Sequence, residues 1–126
     1  MSLTTGVDAV EGTAGDDTIT GSTTTLQTAD TIADASTDDN DTFNLTLTAA
    51  NATKATVQNI ENVNVELDYF NGTGNDIDLT NFSGSTVTIG SSKLGFDGDA
   101  GASKVGANTV KAGENVKVFT ATGVTT

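Results

Sequence analysis

A triplet of acid, threonine and apolar residue recurs in the first third of the chain and constrains its fold more than any other feature. The copies are Asp17-Thr18-Ile19, Asp30-Thr31-Ile32 and Asp41-Thr42-Phe43, separated by 13 and then 11 residues, with a fainter copy at Asn108-Thr109-Val110. A second repeat, Glu61-Asn62-Val63-Asn64-Val65, returns as Glu114-Asn115-Val116-Lys117-Val118. Self-similarity of this kind points to stacked supersecondary units, each too small to bury its apolar face alone. Around the copies, apolar and polar residues alternate. Phe43, Leu45 and Leu47 fall on one face, and Thr42, Asn44, Thr46 and Thr48 on the other. Val63/Val65/Leu67, Ile77/Leu79, Val87/Ile89 and Val116/Val118 continue the pattern. Period two is the signature of a strand with one buried and one wet face.

Composition supports the same reading. Threonine is the commonest residue, at 25 of 126, and Asp outnumbers Glu 13 to 4. Thr suits a pleated surface, whereas Asp, Asn and Gly serve turns and are poor helix formers. The segment 49–57 carries four Ala and has room for one or two helical turns. Nothing else shows helical spacing, and Ser22 to Gln27 is a Thr run without an apolar partner before Leu26, a candidate for local disorder. No Asn-Gly or Asp-Gly pair is tightly flanked by two alternating runs, so hairpins are not signalled. The fold expected is all-β, a right-handed parallel β-helix or β-roll (a β-solenoid) with irregular coils. The centres Leu45, Val65, Asp78 and Thr88 are spaced by 20, 13 and 10 residues. An antiparallel β-sandwich is the alternative.

The same composition excludes several functions. The formal net charge is −12, with 5 Lys+Arg against 17 Asp+Glu, and there is no His, Cys or Trp. Nucleic-acid binding needs cations to neutralise phosphates. Without Cys there is no disulfide scaffold or thiolate metal site. Without His the commonest general base and transition-metal ligand is missing. No stretch approaches the ~20 apolar residues of a membrane-spanning helix. Acid–base catalysis by paired carboxylates needs one of them desolvated, and these acids sit in polar Gly/Thr turns. A non-enzymatic role is expected.

The segment Gly12-Thr13-Ala14-Gly15-Asp16-Asp17-Thr18-Ile19-Thr20 resembles the nonapeptide G-G-x-G-x-D-x-U-x of RTX (hemolysin-type) calcium-binding proteins. It matches at Gly12, Gly15, Asp17 and Ile19 and departs at Thr13. Small residues let backbone carbonyls turn inward, and the Asp adds a hard anionic oxygen. Calcium takes 6–8 oxygens, so a second stacked turn is needed. That turn is Asp34 to Asp41, whose Asp41-Thr42-Phe43 aligns with Asp17-Thr18-Ile19 and whose Asp39 stands where Gly15 stands. The Asp30 copy would lie on the opposite edge. The metal-site residues expected are Gly12, Ala14, Gly15, Asp16, Asp17, Asp30, Asp34, Asp38, Asp39 and Asp41. Asp76, Asp78, Asp97 and Asp99 are read as solvated turn residues, and the stretch from Gly98 to Val105, with Ser103 at the ligand position, as a metal-free coil.

The order of elements from Leu3 to Val65 also looks like a module of large secreted bacterial RTX-type and surface-layer proteins. The resemblance implies one β-solenoid domain over 1–126, with calcium turns in 8–48 and less regular, metal-poor coils in 60–126. It implies Ca²⁺ as the cofactor, a secreted or cell-surface location and type I export. The partners implied are neighbouring domains of a larger protein, self-association or a cell-surface ligand. The alternative is an adhesin or ligand-binding module with calcium incidental. The Thr-x-Thr pairs and the turn Gly72-Thr73-Gly74-Asn75-Asp76 raise an ice- or carbohydrate-binding version of it.

Overall fold

A computed structural model describes residues 1–48, 55–68, 79–91, 96–98, 107–112, 116–119 and 124–125. Among these residues the protein is all-β, with no helix. The strands are β1 (Ala9–Glu11), β2 (Thr18–Ser22), β3 (Thr31–Ala33), β4 (Thr42–Leu47), β5 (Thr56–Gln58), β6 (Asn62–Leu67), β7 (Phe82–Ser91), β8 (Phe96–Gly98), β9 (Ala107–Ala112), β10 (Val116–Phe119) and β11 (Val124–Thr125). Seven of them form a continuous path, β1-β3-β5-β7-β6-β4-β2, in a sheet curled into a half-barrel. β9 pairs with β7, β11 with β9, and β8 with β10. Every one of these pairs is parallel.

The antiparallel sandwich is therefore not what these strands form. Parallel neighbours cannot be joined by a two-residue hairpin and need a longer crossover, which accounts for the missing hairpin signals. The register also explains the repeat. Ile19 pairs with Phe43, Phe43 with Val63, Val63 with Val87, and Val87 with Val110, at steps of 24, 20, 24 and 23 residues. The sequence steps of 13 and 11 are thus two halves of one pass of the chain. Asp30-Thr31-Ile32 belongs to the other arm of the sheet, where β3 pairs with β1 and β5. A rung here means one such pass: β1 and β2 make the first, β3 and β4 the second, β5 and β6 the third. The expected 20-residue step from Leu45 to Val65 is a pairing of the register, and Val65 pairs next with Ile89, 24 residues on. The intermediate centre Asp78 lies outside the described residues.

The period-two alternation places one file of side chains inside. Ile19, Phe43, Val63 and Val87 are in register and fully buried, with Leu45, Val65 and Ile89 in the next file. Ile32, Val57 and Phe82 fill the other arm. Gly21 holds an inward position opposite Leu45. A Cβ there would lie 2.9 Å from Leu3 Cδ1 and 3.2 Å from Phe43 Cε1, so the missing side chain is the space that Leu3 fills. Met1–Leu3 runs parallel along β2, with Thr20 N–H donating to Met1 O and Leu3 N–H to Thr20 O.

Two local expectations change. The Thr run after β2 is an ordered turn: Ser22 N–H donates to Thr25 Oγ1, Leu26 N–H donates to Ser22 O, and Leu26 is buried. Thr56 and Val57 are strand rather than helical turn. The rest of that Ala segment, 49–54, lies outside the described residues, as do Asp76, Asp78, Asp99, the turn 72–76 and the stretch 99–106.

Candidate metal centre

The turn joining β3 to β4 carries four acids, and the fold gathers three of them. One carboxylate oxygen from each of Asp34, Asp39 and Asp41 lies within 4.8 Å of the others. Asp34 ends the β3 arm and Asp41 opens the β4 arm, so the cluster spans the corner between them. Asp34 and Asp41 are buried, at 4% and 0% exposure, while Asp39 is half-buried. Asp34 Oδ1, both oxygens of Asp39 and Asp41 Oδ2 are buried and receive no hydrogen bond. An ionised carboxylate in such a place costs several kcal/mol unless something compensates it. No described cation does so: the chain has no Arg, and the first of its Lys residues is Lys54.

The remaining oxygens of the cluster have structural tasks. Asp34 Oδ2 accepts from Ser36 N–H at 2.9 Å, closing a tight turn, and the Asp34 carbonyl accepts from Asn59 Nδ2 at 2.8 Å. Asn59 adopts φ of 56°, a conformation Asn tolerates better than most residues. Asp41 Oδ1 accepts from Asp17 N–H at 2.8 Å. Burial raises the Asp41 carboxyl above the usual carboxylate value, Asp17 N–H opposes this, and the charges of Asp39, Asp34 and Glu61 reinforce it. Asp39 is raised by burial and then by Asp34.

These directions fix a pH dependence. A folded carboxyl with a raised pKa keeps its proton at a pH where the unfolded chain has lost it. Its contribution to stability is full below the usual carboxylate range and is lost as pH rises through the folded value. Without metal, the melting temperature is expected to fall between pH 4 and pH 7 relative to that of Asp39→Asn, which removes one of these groups. Parallel pH profiles of the two proteins in EDTA would contradict the clustering.

The other expected site residues take different places. Asp30 is buried, with Oδ1 accepting from Asp8 N–H and Oδ2 from Gln27 N–H. Both oxygens are spent on backbone, and Asp30 belongs to the opposite arm. Asp17 Oδ2 accepts from Thr13 N–H within its own turn, and Asp16 Oδ1 accepts from Asn40 N–H across to the second rung. Ala14, Gly15 and Asp38 are exposed. Gly12 touches the cluster: a Cβ on it would lie 2.6 Å from Asp34 Oδ1. Gly12→Ala is therefore expected to push the Asp34 carboxylate aside. Its metal affinity should drop at least about tenfold, the scale of a disturbed ligand support. The far-UV circular dichroism should hardly change, and unaltered calorimetric affinity would show that Asp34 is not a ligand.

Sequence reasoning missed Glu61. Its Oε2 accepts from Asp41 N–H at 2.8 Å. Asn62 pairs with Thr42, which pairs with Thr18, so Glu61, Asp41 and Asp17 form one column. The Asp-Thr-apolar and Glu-Asn-apolar repeats are the same device. The signal was present in the pattern acid, polar, apolar, but the different residue types hid it.

The three carboxylates together can hold a metal ion. All four unpartnered donors are anionic oxygens, a set suited to a hard cation. No family model matches this chain, and no curated protein or solved structure matches it either.

Proposed function

We propose that the protein is a non-enzymatic, calcium-binding structural module, a β-solenoid whose second rung is clasped by an ion at Asp34, Asp39 and Asp41. The observation that carries this is the set of four buried carboxylate oxygens without a hydrogen-bond donor. A divalent cation offsets the repulsion among the three acids and supplies the missing partner. Four protein oxygens leave two to four positions of a calcium shell for water or nearby carbonyls. The parallel, in-register strands support the solenoid, because each rung stacks on the next with its apolar file continuous.

A site of this kind fits a secreted or cell-surface protein. Extracellular calcium modules bind at ~10⁻⁴–10⁻³ M, which millimolar calcium fills. In that setting a 10⁻⁴ M site adds about 1.4 kcal/mol, a useful fraction of a total of ~5–15 kcal/mol. The test is to titrate calcium into EDTA-treated protein while following far-UV circular dichroism and melting temperature. A saturable rise in melting temperature is expected. No change by 10 mM calcium would overturn the reading.

A further inference from the structure

We propose that Glu61 is a positioning residue of the metal site: by holding the Asp41 backbone, it sets the direction in which Asp41 Oδ2 faces the ion. This rests on the metal-binding reading above.

Asp41 is fixed from two sides. Its N–H donates to Glu61 Oε2 in the third rung, and its Oδ1 accepts from Asp17 N–H in the first, both at 2.8 Å. With the backbone and one carboxylate oxygen held, the second oxygen has one direction left, and it lies in the cluster without a donor. Such bracing is how a ligand is kept in place before an ion arrives. Glu61 also lies close enough for its charge to act on both Asp39 and Asp41.

The same contact recurs along the stack. Asp30 Oδ1 accepts from Asp8 N–H, and Asn108 Oδ1 from Ser85 N–H at 3.2 Å. Asp30, like Asp41, stands just before its strand, whereas Asn108 is the second residue of β9; each reaches back to an N–H of the preceding rung. Asp30 shows what this device does alone, with both oxygens committed to N–H groups. The column becomes part of a metal site only at Asp41, where one oxygen serves the backbone and the other is free of donors. An ion bound there acts on three rungs through Asp17, Asp41 and Glu61.

Two variants separate reach from charge. Glu61→Gln keeps an oxygen at the same distance and removes the charge, whereas Glu61→Asp keeps the charge and withdraws the oxygen by one methylene. Calorimetric titration with calcium alone is expected to show Glu61→Asp weakened at least about tenfold and Glu61→Gln within about threefold of the unsubstituted chain. In EDTA Glu61→Gln should melt above Glu61→Asp, because it keeps the hydrogen bond and sheds a charge that acts on Asp39 and Asp41. The positioning role is read from the rise in melting temperature that calcium adds to each variant, smaller for Glu61→Asp, whereas a purely structural role would leave the two rises equal. Equal affinities for both variants, or a weaker Glu61→Gln, would overturn the positioning role and leave the metal site standing. No calcium binding by the unsubstituted chain would overturn both. As a check needing no variant, calcium should slow hydrogen exchange at Asp41 N–H, and unchanged exchange in a calcium-bound protein would also refute the column.

Discussion

Asp41→Asn is expected to be more stable than the unsubstituted protein in EDTA and less stable in calcium. The Asn side-chain oxygen still accepts from Asp17 N–H, so the contact between the first two rungs survives. What disappears is one buried charge among Asp34, Asp39 and Glu61, all of which push the Asp41 carboxyl toward its neutral form. In EDTA that removes repulsion and raises the melting temperature. In millimolar calcium the variant forgoes the ion's contribution, about 1.4 kcal/mol for a 10⁻⁴ M site. Asp41→Ala should be worse in both conditions, because it also strands the Asp17 N–H, an omission worth about 1–3 kcal/mol. Melting curves of the three proteins, each with EDTA and with calcium, decide it. If the Asn variant is destabilised equally in both buffers, Asp41 is a backbone cap and nothing more.

Phe43→Ala should produce the largest loss of stability. Phe43 is fully buried at the centre of the file formed by Ile19, Val63 and Val87, and its ring packs beneath Gly21 beside Leu3. Gly21 has no side chain with which to close the hole, so the cavity should persist. Removing a buried aromatic ring typically costs about 3–5 kcal/mol, a large share of a total of ~5–15 kcal/mol. Urea unfolding should show a lower midpoint at unchanged slope. A loss below about 1 kcal/mol would mean that the sheet closes over the gap, contrary to the close packing expected of such a core. The loss should be the same with and without calcium, because Phe43 supplies no oxygen to the cluster of Asp34, Asp39 and Asp41.

How much of the site was legible in the sequence depends on the residue. Asp34, Asp39 and Asp41 lie within eight positions of one another, so a turn that brings them together could be anticipated from the chain alone. Asp30 has the same local pattern as Asp41 and a different environment. Its second oxygen is taken by Gln27 N–H, in a loop whose course depends on Leu26 reaching the core. Glu61 stands 20 residues from Asp41 in the chain and one strand away in space. Its role depends on register, and register comes from which apolar files meet in the core.

The sequence by itself determined the class of structure. Alternation at Phe43/Leu45/Leu47 and Val63/Val65/Leu67 requires strands with one buried face, because a helix would scatter those residues around its axis. The repeated triplet required stacked units, and the scarcity of cations required that clustered acids be answered by something other than Lys or Arg. The tertiary structure decided the rest: that neighbouring strands are parallel, that paired residues on adjacent rungs lie 20–25 positions apart, and which carboxylates are left without donors. The physical reason is that a carboxylate's role is fixed by the N–H groups within about 3 Å of it. Those groups come from other rungs, which only the packing of the apolar files brings into place.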